Sequence, residues 1–202
     1  MKVNYRIVSG KHISWRMTLV ICLAAGALSA STVIPMSLRE ISAHASRVAV
    51  GRIERIVSYK DADTGRLQSR IEVTETRSLQ GEPLGTLTFE MAGGTLDDVR
   101  QWIAGFPQFQ VGDQVALFLA ETTGTPLGPT VGLWQGVYFV EADGTVGDHR
   151  RQPLAEIRGD QAVKAPVTRD GRVAQGTRVS LDEFLGRVRG FRQLPGAAPD
   201  RR

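Results

Sequence analysis

Apolar and polar positions change period several times along this chain, and each change marks an element. Ser37-Leu38-Arg39-Glu40 has the form of a capping box, in which the serine side chain caps the first turn and the glutamate reaches back. Leu38, Ile41 and Ala45 follow at helical spacing, which predicts a short helix to about Ser46. Val48-Ala49-Val50-Gly51-Arg52-Ile53-Glu54-Arg55-Ile56-Val57 opens as a continuous apolar run and then alternates loosely, the pattern of a strand with one buried face. Gly51 inside it predicts a bulge or a sharp bend. Asp61-Ala62-Asp63-Thr64-Gly65 is a turn, and Leu67 to Leu79 is a strand with charge on alternate positions around Ile71 and Val73. A second turn, Gly81-Glu82-Pro83-Leu84-Gly85, leads into Thr86 to Met91, where Leu87, Phe89 and Met91 share a face. Three strands separated by turn signals predict a meander.

Residues 92–112 break the pattern. Gly93-Gly94 opens a long loop, Gly105, Pro107 and Gly112 close it, and Trp102, Ile103, Phe106 and Phe109 lie between. A loop of this length is either functional or a lid over one end of the fold. Asp113 to Ala120 is the most apolar strand and is expected to be central. Thr122 to Pro129 reads as a hairpin loop, around which Val131–Trp134 and Val137–Glu141 are expected to pair, with Gly136 a bulge candidate and Asp143-Gly144 a tight turn. Residues 148–179 are basic, polar and rich in proline and glycine, so they read as extended or poorly ordered. Ser180-Leu181-Asp182-Glu183 is a second capping box. Leu181, Phe184, Leu185 and Val188 form one stripe, which predicts a helix over about 180–191 before a polar tail at 192–202.

The N-terminus follows a different logic. Residues 1–16 are polar and basic, and residues 17–30, MTLVICLAAGALSA, are apolar or small throughout. That apolar stretch is shorter than the roughly 20 residues a membrane span needs. A basic start, a short apolar segment and a small-residue end describe a secretory signal peptide over 1–30, which makes the expected product periplasmic or secreted. The alternative is an uncleaved anchor. Cys22 follows Ile21, so it does not fit a lipidation site, and it is the chain's one cysteine. The product would therefore fold without disulfides. Four of the 25 basic residues precede residue 17, leaving 21 against 21 acidic ones, so the high pI argues for no nucleic-acid partner. Charge is uneven: residues 31–149 carry 9 basic and 15 acidic side chains, residues 150–202 carry 12 and 6. The basic end could steer onto the acidic body or onto an anionic surface.

His44-Ala45-Ser46-Arg47-Val48-Ala49-Val50-Gly51-Arg52-Ile53, followed by Leu79-Gln80-Gly81-Glu82-Pro83 and by Gly112-Asp113-Gln114-Val115-Ala116-Leu117-Phe118-Leu119, resembles netrin-like domains. These include the tissue inhibitors of metalloproteinases, and uncharacterised exported bacterial proteins share the layout. The resemblance covers roughly residues 37–141. It implies an OB-like β-barrel of five to six strands over 31–147, with a short N-terminal and a C-terminal helix. The animal inhibitors bind the protease zinc through a free N-terminal cysteine fixed by disulfides. A product starting near Ser31 has no cysteine, so no inhibitory site carries over.

Candidate chemistry is sparse. His44 lies at a helix end and His149 stands between Asp148 and Arg150, without convergent partners in sequence. Asp97-Asp98 could be paired acids, and Asp61, Asp63 and Gly65 faintly echo a calcium loop, though each reads more simply as solvated turn chemistry. No catalytic residue, metal site or cofactor is expected. Nucleic acid is not expected either, because the barrel portion is acidic and its aromatics read as core. The leading expectation is a non-enzymatic exported module that binds an unknown protein partner through the 92–112 loop, with Trp102, Phe106 and Phe109 as anchors. The alternatives are a cell-envelope structural or assembly protein whose basic tail contacts anionic lipid or polymer, and an enzyme of unrecognised type.

Overall fold

The computed structural model describes residues 33–121, 127–174 and 176–193. The expected signal over 1–30 and nearly all of the polar tail lie outside these residues. The described residues from Pro35 onward form one compact unit.

The protein is mainly β, built on one six-stranded antiparallel sheet. Its strands are β1 (Arg47–Lys60), β2 (Leu67–Ser78), β3 (Thr86–Ala92), β6 (Gln114–Leu119), β7 (Val137–Val140) and β8 (Val146–Gly147), in the order β3-β2-β1-β6-β7-β8. Two small hairpins are added: β4 (Gly94–Leu96) with β5 (Val99–Gln101), and β9 (Leu154–Arg158) with β10 (Gln161–Lys164). Helix α1 (Leu38–His44) precedes the sheet and α2 (Leu181–Gln193) follows it. Among the described residues no ladder joins β3 to β7 or β8, so the sheet is open.

The central strands are apolar without a break because both faces of the sheet are covered. Val115, Leu117 and Leu119 enter one core with Ile53, Phe89 and Phe139. Ala116 and Phe118, on the alternate positions, enter a second core with Val48, Tyr138 and Phe184. Helices α1 and α2 and the β9–β10 hairpin cover the second face, and the 103–110 segment covers the first. Each fully buried Phe or Leu contributes about 1.5–3 kcal/mol of transfer free energy, so Phe118, Leu117 and Phe139 make the middle of the sheet its most stable part.

Two bulges shape β1. Thr76 is the extra residue opposite Val50 and Gly51, and Glu54 is the extra residue on β1 itself. Because Glu54 resets the pleat, Ile53 and Ile56 face the same core although they are three apart. β1 pairs with β6 only as far as Arg52 and with β2 along nearly its whole length. Gly51 stands at the first irregularity because the chains touch there. A β-carbon would lie 2.4 Å from the Thr74 carbonyl oxygen.

Both predicted helix starts form. Ser37 and Glu40 make the reciprocal capping box, and the Ser180 hydroxyl accepts the Glu183 N–H at 3.3 Å. Arg192 reaches from α2 to the C-terminal end of α1, donating to the carbonyls of Ser42 (2.5 Å) and Ala45 (2.7 Å).

Three local expectations are corrected. Val131–Trp134 is not a strand: Gly132 and Leu133 take left-handed backbone angles, and Leu133–Gly136 is a 3-10 turn. The partners of β7 are β6 and β8. The 92–112 segment is not wholly irregular, since it contains β4 and β5. Residues 148–179 are folded over much of their length. Leu154, Ile157, Ala165 and Val179 are buried there while Val167 and Val173 stay exposed, and Arg187 of α2 donates to the carbonyls of Ile157 and Gly159. Low apolar density there reflects a one-sided cover layer, in which a handful of contacts suffices.

Candidate functional site

The long loop is fastened to the sheet by backbone and hydroxyl contacts. Ser58 of β1 and Ser69 of β2 share a 3.0 Å hydrogen bond. Ser69 also donates to the Gly93 carbonyl (2.8 Å), and the Ser58 hydroxyl accepts the Thr95 N–H (3.2 Å). Gly94 is required at this junction: its φ is +148°, and a β-carbon would lie 2.4 Å from the Ser69 hydroxyl. Gln101 closes the other end by accepting the Leu67 N–H at 2.9 Å. Asp97 and Asp98 are the two-residue turn between β4 and β5, with Asp97 at φ +51°.

Past this hairpin the three expected anchors separate. Trp102 is 59% exposed. Phe106 is buried and meets Trp134 edge-on at 5.7 Å. Phe109 is wedged between β3 and β7, with ring centroids 6.2 Å from Phe89 and 5.8 Å from Phe139. Phe106 and Phe109 are thus core plugs of the open side of the sheet, and Trp102 alone of the three offers its face outward.

Two clefts share Trp102, Phe106 and Gln108 in their walls. One, of about 320 Å³, opens onto β1, β2 and β3 at Ile56, Ser69 and Met91. The other, of about 520 Å³, runs from Trp102 to His149, Arg150 and Arg151. Sequence reasoning did not join these two segments, about fifty residues apart. The nearest signal in the sequence is His149, which stands between Asp148 and Arg150 without convergent partners.

A buried carboxylate organises that run. The Asp148 side chain accepts the N–H groups of Arg150 (2.8 Å) and Gln152 (2.9 Å) and pairs with the Lys164 ammonium at 2.7 Å. Burial works to raise the Asp148 carboxyl, but the Lys164 ammonium and the two N–H groups outweigh it and hold it below the usual carboxylate range. Arg151 sits at φ +62°, its guanidinium 3.9 Å above the Phe139 ring and 2.6 Å from the Asp113 carboxylate. The His149 ring lies 6.1 Å from Trp134, and its Nε2 is buried without a hydrogen-bond partner. Burial pushes its pKa down; the Asp148 charge opposes this, while Lys164 and Arg150 add to it.

The other sequence candidates stay apart from this place. His44 Nδ1 contacts the Glu40 carbonyl at 2.8 Å on the exposed end of α1, and Asp61 accepts from Thr64 within its own turn. Among the described residues no three His, Cys, Asp or Glu side chains are placed to hold a metal. Among the same residues no helix is long and apolar enough to cross a membrane. No family model, curated protein or solved structure matches the chain.

Proposed function

We propose that this chain is an exported, non-enzymatic binding module that captures a protein partner through the 92–112 loop, with Trp102 as its anchor. The observation that carries the reading is Trp102 itself. A large aromatic side chain stands 59% exposed on a rim shared by two clefts, next to a hairpin tied to the sheet. Rigid, exposed aromatics at a concave rim are the usual energetic centres of protein interfaces. Val99 and Val111, also largely exposed, flank it in sequence.

An OB-like frame of the netrin-like kind is part of the proposal. The order β3-β2-β1-β6-β7 is that of an OB meander whose fourth strand returns beside the first, and β1 bends at a glycine where its pairing changes. The last ladder of such a barrel would join β3 to β7, and the gap between those strands is filled by Phe109. OB folds bind ligands on the second and third strands, the face onto which the smaller cleft opens. The alternative of a basic tail on anionic polymer has less support, because Arg151, Lys164, Arg187 and Arg192 are engaged by the body of the protein.

The test is capture of proteins from envelope extracts and culture fluid by the wild type and by Trp102→Ala, with circular dichroism on both. A protein recovered by the wild type and lost with a folded variant supports the reading. Equal recovery, or an unfolded variant, overturns it.

A further inference from the structure

The larger cleft has a two-part character that specifies what can enter it. Its apolar part is Trp102, Phe106 and Phe139, and its polar wall is basic: His149, Arg150 and Arg151. No aspartate or glutamate among the described residues lines it. The two acids nearby are already committed, Asp113 to Arg151 and Asp148 to Lys164 and the backbone. Arg151 is likewise held, stacked on Phe139 and paired with Asp113, so it forms wall rather than a free cation. Arg150 differs. Its side chain is exposed, it makes no ion pair among the described residues, and its backbone is fixed by the buried Asp148 carboxylate. A guanidinium on a fixed backbone beside an apolar cleft selects a group that is negative at one end and flat or bulky at the other.

We propose that this cleft binds a peptide segment of the partner in which a large apolar side chain stands next to a carboxylate. The apolar group packs on Trp102 and Phe106, and the carboxylate pairs with Arg150. This deepens the protein-binding reading above and rests on it. The charge count favours a peptide over a polyanion. A phosphate backbone or an anionic bilayer is held by several cations along a track, whereas here one cation is unpaired at an aromatic-lined cleft of about 520 Å³. Arginine suits a single carboxylate because its donors form a planar fork.

The experiment is a selection of random short peptides displayed against the full chain, followed by titration of the recovered peptides with the wild type, Arg150→Gln and Trp102→Ala. Arg150 is exposed, so the glutamine variant is expected to keep the wild-type thermal midpoint, which is measured alongside. The expected result is enrichment of an aromatic or large aliphatic residue next to Asp, Glu or a free C-terminal carboxylate. Arg150→Gln then weakens binding by about tenfold, the scale of one charge-assisted contact. Changing the peptide acid to its amide costs wild type a similar factor and costs Arg150→Gln little. Enriched peptides that lack an acid, bind Arg150→Gln unchanged and are lost with Trp102→Ala overturn the carboxylate assignment and leave the binding module standing. Enrichment indifferent to both variants, or none at all, overturns both.

Discussion

At the scale of single residues, four positions test how tightly this fold is assembled. Gly51 lies so close to β2 that a methyl group there would meet the Thr74 carbonyl oxygen at 2.4 Å as well as the Val73 side chain. Gly51→Ala is expected to destabilise the protein by about 2–3 kcal/mol, the scale of overpacking against a strand that cannot retreat, measured as a lower urea midpoint. Phe106→Ala should cost about 3 kcal/mol, since it removes a buried ring from the open side of the sheet, and Phe109→Ala, at a half-buried ring, somewhat less. Trp102→Ala, by contrast, should shift stability by less than about 0.5 kcal/mol, because an exposed side chain leaves no cavity. Urea titrations of the three variants separate plug from anchor directly. A Trp102 cost equal to that of Phe106 would remove the case for a recognition surface.

At the scale of elements, the helix starts, the β1–β2–β3 meander and the central β6 were legible, because each has an apolar signal at helical spacing, in alternation or in an unbroken run, with a turn or cap at its edge. Gly51 was legible as an irregularity, although the residue that bulges there is Thr76 on the neighbouring strand. What periodicity could not show falls into two kinds. Leu133 lies in an apolar stretch, but its backbone is left-handed, and at Gly136 close by a β-carbon would lie 2.6 Å from the Val131 carbonyl oxygen. The β9–β10 hairpin hides among polar residues because only Leu154 and Ile157 need to be buried. The site was half legible for the same reason. Trp102, Phe106 and Phe109 stood out together by composition, and only three-dimensional packing divides them into one exposed ring, one buried and one half-buried. Helix α2 carries the element-scale prediction. Phe184 is fully buried and meets Phe118 at 6.1 Å and Tyr138 at 4.7 Å, so α2 covers the second face of the sheet. A chain ending at Val179 should lose its near-ultraviolet dichroism and bind a hydrophobic dye. A truncated chain with native dichroism would show α2 to be an appendage.

At the scale of the whole molecule, the acidic body and basic end found in the sequence are joined by particular pairs. Arg77 meets Asp182, Arg151 meets Asp113 and Lys164 meets Asp148. These joints make stability depend on pH in a direction that follows from the shifts. His149 has a folded-state pKa below its ordinary value, chiefly through burial, so the folded protein binds fewer protons there than the unfolded chain does. Its contribution is complete above the unfolded pKa of about 6.5 and is lost as pH falls through the lower folded value. Asp148 is lowered too, so its contribution is present above an unfolded pKa of about 4 and disappears on further acidification. Glu40 acts in that same lower window, because its carboxylate accepts hydrogen bonds from the Ser37 N–H and hydroxyl. Acid therefore acts in two stages, first at His149 and then at the carboxylates. Thermal midpoints recorded between about pH 7.5 and 5.5 should fall by a few degrees in wild type and stay nearly level in His149→Gln. Below about pH 4 both proteins should lose stability, and Asp148→Asn should lose it less steeply from a lower starting point. A wild-type midpoint that is level through the upper window would mean that His149 titrates alike in the folded and unfolded chains, and that the wall it forms with Trp134 is open to water.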